Sequence, residues 1–282
     1  MSTAAAVFTD IRRSDAGRSL LRPTVLLSAA VLLVTVAWAL LPQLFTSYDP
    51  IANVGASLQP PSAEHLFGTD STGRDVFSRV IHGARETLTG ALAAVAVGFV
   101  VGTSMGVIAG SAGRAVDEVI MRIVDVLLAV PSLLLSLSVI ILLGYGTMNA
   151  AIAVGVTSIA AFARLVRSQV VQVSGSDYVE AAYGSGASFW AVLWRHVLPN
   201  SLTPVLALAA LQFGSAILQI STLGFLGYGA PPPIPEWGLM IAESRDFVAT
   251  AWWLTTLPGL VLVLTVLATN RLSHAMHTGG RS

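Results

Sequence analysis

Residues 88–111 read LTGALAAVAVGFVVGTSMGVIAGS, an uncharged stretch in which small residues return at every fourth position: Gly90, Ala94, Gly98, Gly102, Gly106 and Gly110. About 20 apolar residues in an α-helix cross the ~30 Å hydrocarbon core of a bilayer, and this segment is long enough to do so. The four-residue repeat sets the small residues in one stripe, where a second membrane helix can approach closely. Gly98, Gly102, Gly106 and Gly110 are therefore the expected packing residues.

Outward from this segment the same signature recurs. Windows that are charge-free or nearly so lie at about residues 24–45, 123–144, 147–166, 201–227 and 249–270, which with 88–111 predicts six transmembrane helices. The third and fourth are separated by Gly144, Tyr145 and Gly146, a tight hairpin. The first window extends without charge over residues 23–48, longer than the roughly 7–15 residues of a signal-peptide core, so it is expected to be a retained span. Composition agrees: 54% of residues are hydrophobic and 11% charged, with a mean hydropathy of +0.75, against roughly 25% charged in soluble domains. The fold class expected is an all-α, polytopic membrane protein.

All 15 basic residues are arginines, and they balance 15 acidic ones. No basic stripe marks a nucleic-acid partner. Basic residues collect on the cytoplasmic side. With the N-terminus inside, Arg12, Arg13, Arg18, Arg22, Arg114, Arg122, Arg164, Arg167, Arg195, Arg271 and Arg281 are cytoplasmic, while Arg74, Arg79, Arg85 and Arg245 are outside. Both termini are therefore expected in the cytoplasm. The chain then divides into a cytoplasmic N-terminal segment (1–23), a first span (24–45), an extracytoplasmic loop (46–87), a core of five further spans (88–272) and a cytoplasmic tail (273–282). The outer loop is expected to hold a short amphipathic helix from Gly73 to Arg85. The last outer segment, Gly229 to Phe247, holds Pro231, Pro232, Pro233 and Pro235, which do not fit an uninterrupted helix.

The longest cytoplasmic loop, residues 166–200, contains Asp177, Tyr178, Val179, Glu180, Ala181 and Ala182, then Gly186, then Arg195, His196, Val197, Leu198, Pro199 and Asn200. Asp177 with Glu180 three residues later resembles a capping box and predicts a short helix. Gly184 and Gly186 break it. A second helix beginning near Ser188 would set Phe189, Trp190, Leu193, Trp194 and Val197 along one face until Pro199 ends it. Amphipathy alone fits an interfacial helix equally well. The spacing from Glu-Ala-Ala to the glycine and on to Leu-Pro, however, resembles the EAA loop of ABC importer permeases. In that family the helix pair docks into a cleft of an ATPase subunit.

Three further stretches are similar to the C-type subunit of the dipeptide and oligopeptide permeases. They are Phe67–Gly68–Thr69–Asp70 with Gly73 to Arg79; Asp117, Glu118 and Met121 to Asp125 with Pro131 and Ser132; and Pro232 to Gly238. Arg195–His196–Val197–Leu198–Pro199–Asn200 is close to the form usual in those permeases. The resemblance covers roughly residues 60–272. It implies a type I ABC importer permease fold in a bacterial cytoplasmic (inner) membrane, surrounded by lipid. It also implies a homologous second permease, two ABC ATPase subunits and an extracytoplasmic substrate-binding protein as partners. The implied cargo is a short peptide, with nickel or another small solute as the alternative. The implied coupling residues are Asp177, Tyr178, Glu180, Ala181, Ala182, Gly186, Arg195, His196, Leu198 and Pro199.

Gly102–Thr103–Ser104–Met105–Gly106 matches the G-x-S-x-G pattern of serine hydrolases, so an intramembrane protease using Ser104 is one alternative. The small-residue stripe already accounts for both glycines, and the histidines at 65, 82, 196, 274 and 277 fall outside the expected membrane cores. His274 and His277 are expected to be solvated rather than metal ligands. A P-loop needs a lysine, and this sequence has none, so ATP and Mg²⁺ are expected on partner subunits and no cofactor on this chain. An ion-coupled secondary transporter would place ionisable groups mid-membrane. Here Asp125 is the one acidic residue in a predicted span, near its cytoplasmic start, where it is expected to cap or to pair with Arg122.

Overall fold

The structure, a computed structural model, describes residues 23–279. The segment 1–22, residues 280–282 and the side chain of His277 lie outside the described residues. Helix α1 is Pro23–Leu40, α2 Val76–Ser111, α3 Arg114–Ala129, α4 Ser132–Leu143 and α5 Thr147–Ser174. They are followed by α6 Asp177–Gly184, α7 Phe189–Phe225, α8 Trp237–Ser244 and α9 Trp253–Gly279. Among the described residues there is no strand, only an isolated bridge between Thr69 and Asp75. Five helices, α1, α2, α5, α7 and α9, are long and apolar enough to cross a membrane; α3 and α4, bent by 98° at their break, reach that length and apolarity only as a pair, either as a broken span or as a re-entrant loop.

Three expectations change in detail. The short helix expected at residues 73–85 is the opening of α2, whose start is fixed by Asp75: its carboxylate accepts from Ser78 N at 2.7 Å, an N-cap bond. The span expected at residues 123–144 breaks at Val130 and Pro131, because proline has no N–H and forces its predecessor out of the helical region. Pro199 does not end the second loop helix. The helix widens into a π turn over Leu193–Val197, with Leu198 N bonded to Leu193 O, and continues to Phe225.

The chain forms two compact units, residues 90–212 and, together, 23–89 with 213–279. In the first unit α2 lies on α5 along the small-residue stripe. A Cβ on Gly102 would stand 2.6 Å from Ile159 O and Phe162 Cβ; on Gly106, 2.6 Å from Ala163 O and Val166 Cβ; on Gly110, 2.8 Å from Val170 Cγ1. On Gly98 it would run into the Ser158 hydroxyl. From the other side, a Cβ on Gly155 would stand 2.8 Å from Ala94 O. Each four-residue step along α2 thus matches a four-residue step along α5, so two backbones touch over three turns. The α4–α5 hairpin turns on Gly144 and Gly146, at φ 90° and 128°, and Asn149 Nδ2 closes it by donating to Leu143 O at 3.0 Å.

In the second unit α1 packs along α9. The proline-rich segment ends in Glu236, which caps α8: its carboxylate accepts from Gly238 N and Leu239 N, both at 2.9 Å. Thr87 and Ser221 hydroxyls lie at 3.3 and 3.4 Å, and the side chain is 1% exposed. Burial raises its pKa, and these four donors oppose the rise only in part. Trp237, wholly buried, donates to Val80 O at 2.9 Å. Arg79, 1% exposed, reaches Glu243 at 3.0 Å and the carbonyls of Pro50 and Pro233 at 3.3 and 3.4 Å. Asp70 is partly buried, which raises its pKa, but bonds from Arg74 and Thr72 and the Arg74 charge outweigh that and hold it below the usual carboxylate range.

Candidate functional site

The site is built where α5 runs past the apolar windows into α6 and α7. Ser176, not Asp177, occupies the N-cap of α6, with extended backbone and no side-chain cap bond. Asp177 and Glu180 lie in the first turn, where the helix dipole favours negative charge. The capping box is therefore absent, although the helix starts where expected. Its end is a Schellman motif: Ala187 N bonds to Ala182 O at 3.1 Å and Gly186 N to Tyr183 O at 2.9 Å. Gly186 stands at φ 87°, which a β-carbon disfavours by about 1–2 kcal/mol.

Val179 of α6, at 1% exposure, and Val192, Leu193 and Val197 of α7 are buried and hold the pair in place. The remaining side chains face outward. Tyr178, Tyr183 and Phe189 are roughly half exposed; Trp190 and Trp194 are each 66% exposed. The single apolar face expected for the second helix is thus two faces, Leu193 with Val197 inward and Trp190 with Trp194 outward. Asp177, Glu180, Ala181, Gly186, Arg195 and Pro199 are exposed; Ala182, His196 and Leu198 are half-buried. Asn200 Nδ2 donates to His196 O at 2.6 Å.

Two ion pairs tie α3 to α5 just before this loop. Arg167 holds Asp117 through two bonds of 2.9 and 2.6 Å, and Arg164 holds Asp125 at 2.6 Å. Asp125 therefore pairs with Arg164 across helices, not with Arg122 on its own helix. Below them Val124 packs against Ala160 and Ala163, flanked by Ile120, Met121 and Leu127. Sequence reasoning missed these pairs, although Asp125 and Arg164, the lone charges of the windows 123–144 and 147–166, were a visible trace of the second. Ser104 stands apart: exposed on α2, its hydroxyl donates to Val100 O of its own helix at 2.8 Å. Among the described residues no group of three His, Asp or Glu side chains could hold a metal ion.

Membrane-length apolar helices, with a helix pair that offers aromatic and acidic side chains to the outside, define a polytopic membrane protein. Residues 102–278 match the family described as binding-protein-dependent transport system inner membrane component. The chain belongs to that family, and it is a permease subunit of an ABC importer. It is 42% identical over 235 residues to a dipeptide transport system permease protein DppC of Alkalihalophilus pseudofirmus, covering 83% of this chain and 77% of the relative. A probable D,D-dipeptide transport system permease protein DdpC of Escherichia coli is 39% identical (88% and 84% covered), and a di/tripeptide transport system permease protein DppC of Pseudomonas aeruginosa 40% (87% and 83%). An inward-facing structure of the MetNI methionine ABC transporter superposes with a TM-score of 0.57 at 20% identity, over 71% of this chain and 97% of the other. That likeness gives the fold, a type I ABC importer permease.

Proposed function

We propose that this chain is one of two homologous permeases of an importer that carries short peptides across a bacterial cytoplasmic membrane, driven by ATP. Two ATPase subunits hydrolyse the nucleotide with Mg²⁺, and an extracytoplasmic binding protein delivers the cargo. Both termini of this chain are cytoplasmic. The chain itself does no covalent chemistry: Ser104 is bonded back to its own helix, which favours packing over nucleophilic use.

The observation that carries the reading is the outward face of α6 and the start of α7. Tyr178, Trp190 and Trp194 beside Glu180 and Arg195 form an exposed aromatic and charged surface on an anchored base of Val179, Val192, Leu193 and Val197. Aromatic anchors with a polar surround suit a protein partner. In this reading Asp177, Tyr178, Glu180, Ala181, Ala182, Gly186, Arg195, His196, Leu198 and Pro199 receive the motion of the ATPase dimer, and α5 and α7 pass it into the membrane. Peptide is favoured over nickel as cargo because the relatives above are named for dipeptides or tripeptides. Expression with its partner subunits and measurement of ATP-dependent dipeptide uptake tests this; uptake by this chain without ATPase subunits would overturn it.

A further inference from the structure

Helix α3 divides into three sectors. Ile120, Met121, Val124 and Leu127 pack inward on α5 and Met105. Arg114, Glu118, Arg122 and Asp125, spaced by four, four and three residues, form one exposed flank that is entirely charged. Val116, Val119, Ile123 and Val126, spaced by three, four and three, form a second exposed flank that is entirely apolar. Both flanks are exposed in the lone chain, and surfaces so unlike in polarity suit different media in a membrane. A charged side chain on lipid costs several kcal/mol, whereas an apolar one is at home there.

The helix also stops at a break within an apolar stretch. At Val130 and Pro131 the chain turns by 98°, and residues 130–134 are exposed. Each helix end leaves backbone groups without intrahelical partners, and Pro131 offers no side-chain cap to α4. Such a break is tolerated at membrane depth only where it lines a watery cavity or is covered by protein. Three members of the charged flank, Arg114, Glu118 and Asp125, line an open groove of about 500 Å³ together with Asp117, Arg164 and Arg167. That volume falls within the roughly 300–1,000 Å³ of small-molecule sites. The Asp125–Arg164 pair in it is more than half exposed on both sides.

We infer that the charged flank of α3, with Arg164, forms a wall of the aqueous passage on the cytoplasmic side, and that the apolar flank faces lipid. This rests on the permease reading above. A wall carrying both signs of charge at short spacing offers a counter-charge to each end of a zwitterionic peptide while binding neither end tightly, which suits release.

The chain has no cysteine, so single cysteines test the assignment directly. The assembled complex in proteoliposomes carries Glu118→Cys, Arg122→Cys, Val119→Cys or Ile123→Cys, and a membrane-impermeant methanethiosulfonate is added on the cytoplasmic face. The cysteine-free chain in the same complex is the control. The first two are expected to react at least tenfold faster than the last two, and modification at position 118 is expected to cut dipeptide uptake at least fivefold while ATP hydrolysis continues. Equal labelling of both flanks would overturn the inference. So would a charged flank that reacts in the isolated chain but not in the complex, since the second permease would then cover it. Labelling without loss of uptake would mean an interfacial helix, and would overturn it as well. If the control complex takes up no dipeptide yet modification at 118 blocks another solute, the cargo reading fails and the wall stands.

Discussion

Replacing Gly102 with leucine tests the contact between α2 and α5 at its centre. The first added atom, Cβ, would already lie 2.6 Å from Ile159 O and Phe162 Cβ, about 0.8 Å inside the 3.4 Å at which ordinary contact begins. Neither obstacle is a flexible chain end: one is backbone and the other is the root of a fully buried phenylalanine. The helices must therefore separate, and the neighbouring contacts at Gly98 and Gly106 loosen with them. Overpacking of this kind costs about 1–3 kcal/mol for a few methylenes. Part of it is offset by the roughly 0.5–1 kcal/mol gained when a helical glycine is replaced. A net loss of about 1–2 kcal/mol shifts an assembly equilibrium roughly 5- to 30-fold. Two residues on and about 200° around the helix axis, Ser104→Ala removes a hydroxyl whose partner is Val100 O of its own helix, so its cost stays below about 1 kcal/mol. Thermal unfolding of the chain in detergent, recovery of the complex with its partners and ATP-dependent uptake are measured for both. If Ser104→Ala abolishes function while Gly102→Leu assembles and transports as the parent does, the stripe is not a packing face and the serine has been misjudged.

Glu180→Arg and Gly186→Pro are expected to stop uptake at unchanged membrane insertion. The first reverses charge on the exposed face, and the second removes the N–H bonded to Tyr183 O at a φ of 87° that proline does not adopt; normal uptake by both variants would refute the coupling role. Cysteines at Ser62 and Ser185 are expected to label from outside and inside respectively, and the reverse pattern would overturn the arginine-based orientation. Glu236 has a folded-state pKa raised by burial, so the folded chain binds its proton more tightly than the unfolded chain does. Its contribution to stability is full below the ordinary carboxyl range and is lost as pH rises through the raised value; melting temperature in detergent should fall over that window in the parent and stay flatter in Glu236→Gln.

What could be seen in the sequence was local. Absence of charge over residues 88–111 marks a span without reference to any neighbour, and the spacing from Glu180 to Gly186 and Pro199 marks the loop helices in the same way. The partner of the glycine stripe could not be seen, because nothing in α2 points to Gly155, Ile159 and Ala163 more than a hundred atoms of backbone away. For the same reason the sequence leaves Asp125 to cap or to pair with Arg122. The two share a helix, and a reader of sequence ranks near neighbours first, whereas the bidentate grip of Arg167 on Asp117 sets the α3–α5 register that brings Arg164 to Asp125. Phe189, Trp190, Leu193, Trp194 and Val197 were placed on one face because all are apolar. The split appears only once burial separates Leu193 and Val197 from the two tryptophans, which are large enough to serve a partner instead.

The two prolines carry the same lesson in opposite directions. Each lacks an N–H, and each disfavours a helical residue before it. Val130 complies, turning extended at φ −90° and ψ 129°, and α3 ends there. Leu198 does not; it stays helical at φ −60° and ψ −49°. The difference lies in what each neighbourhood can lose. Val130 and Pro131 are exposed, so no packed side chain is dislodged when the chain bends. Leu193 and Val197 are buried on either side of the turn before Pro199, and a bend there would pull both from their contacts, at about 1.5–3 kcal/mol for each buried side chain. Widening the turn by one residue, with Leu198 N bonded to Leu193 O and Asn200 Nδ2 to His196 O, costs less than that and keeps the helix running from the exposed tryptophans into the membrane. A helix that bent at Pro199 would separate the face that Trp190 and Trp194 present from the span that, in the proposed coupling role, it moves.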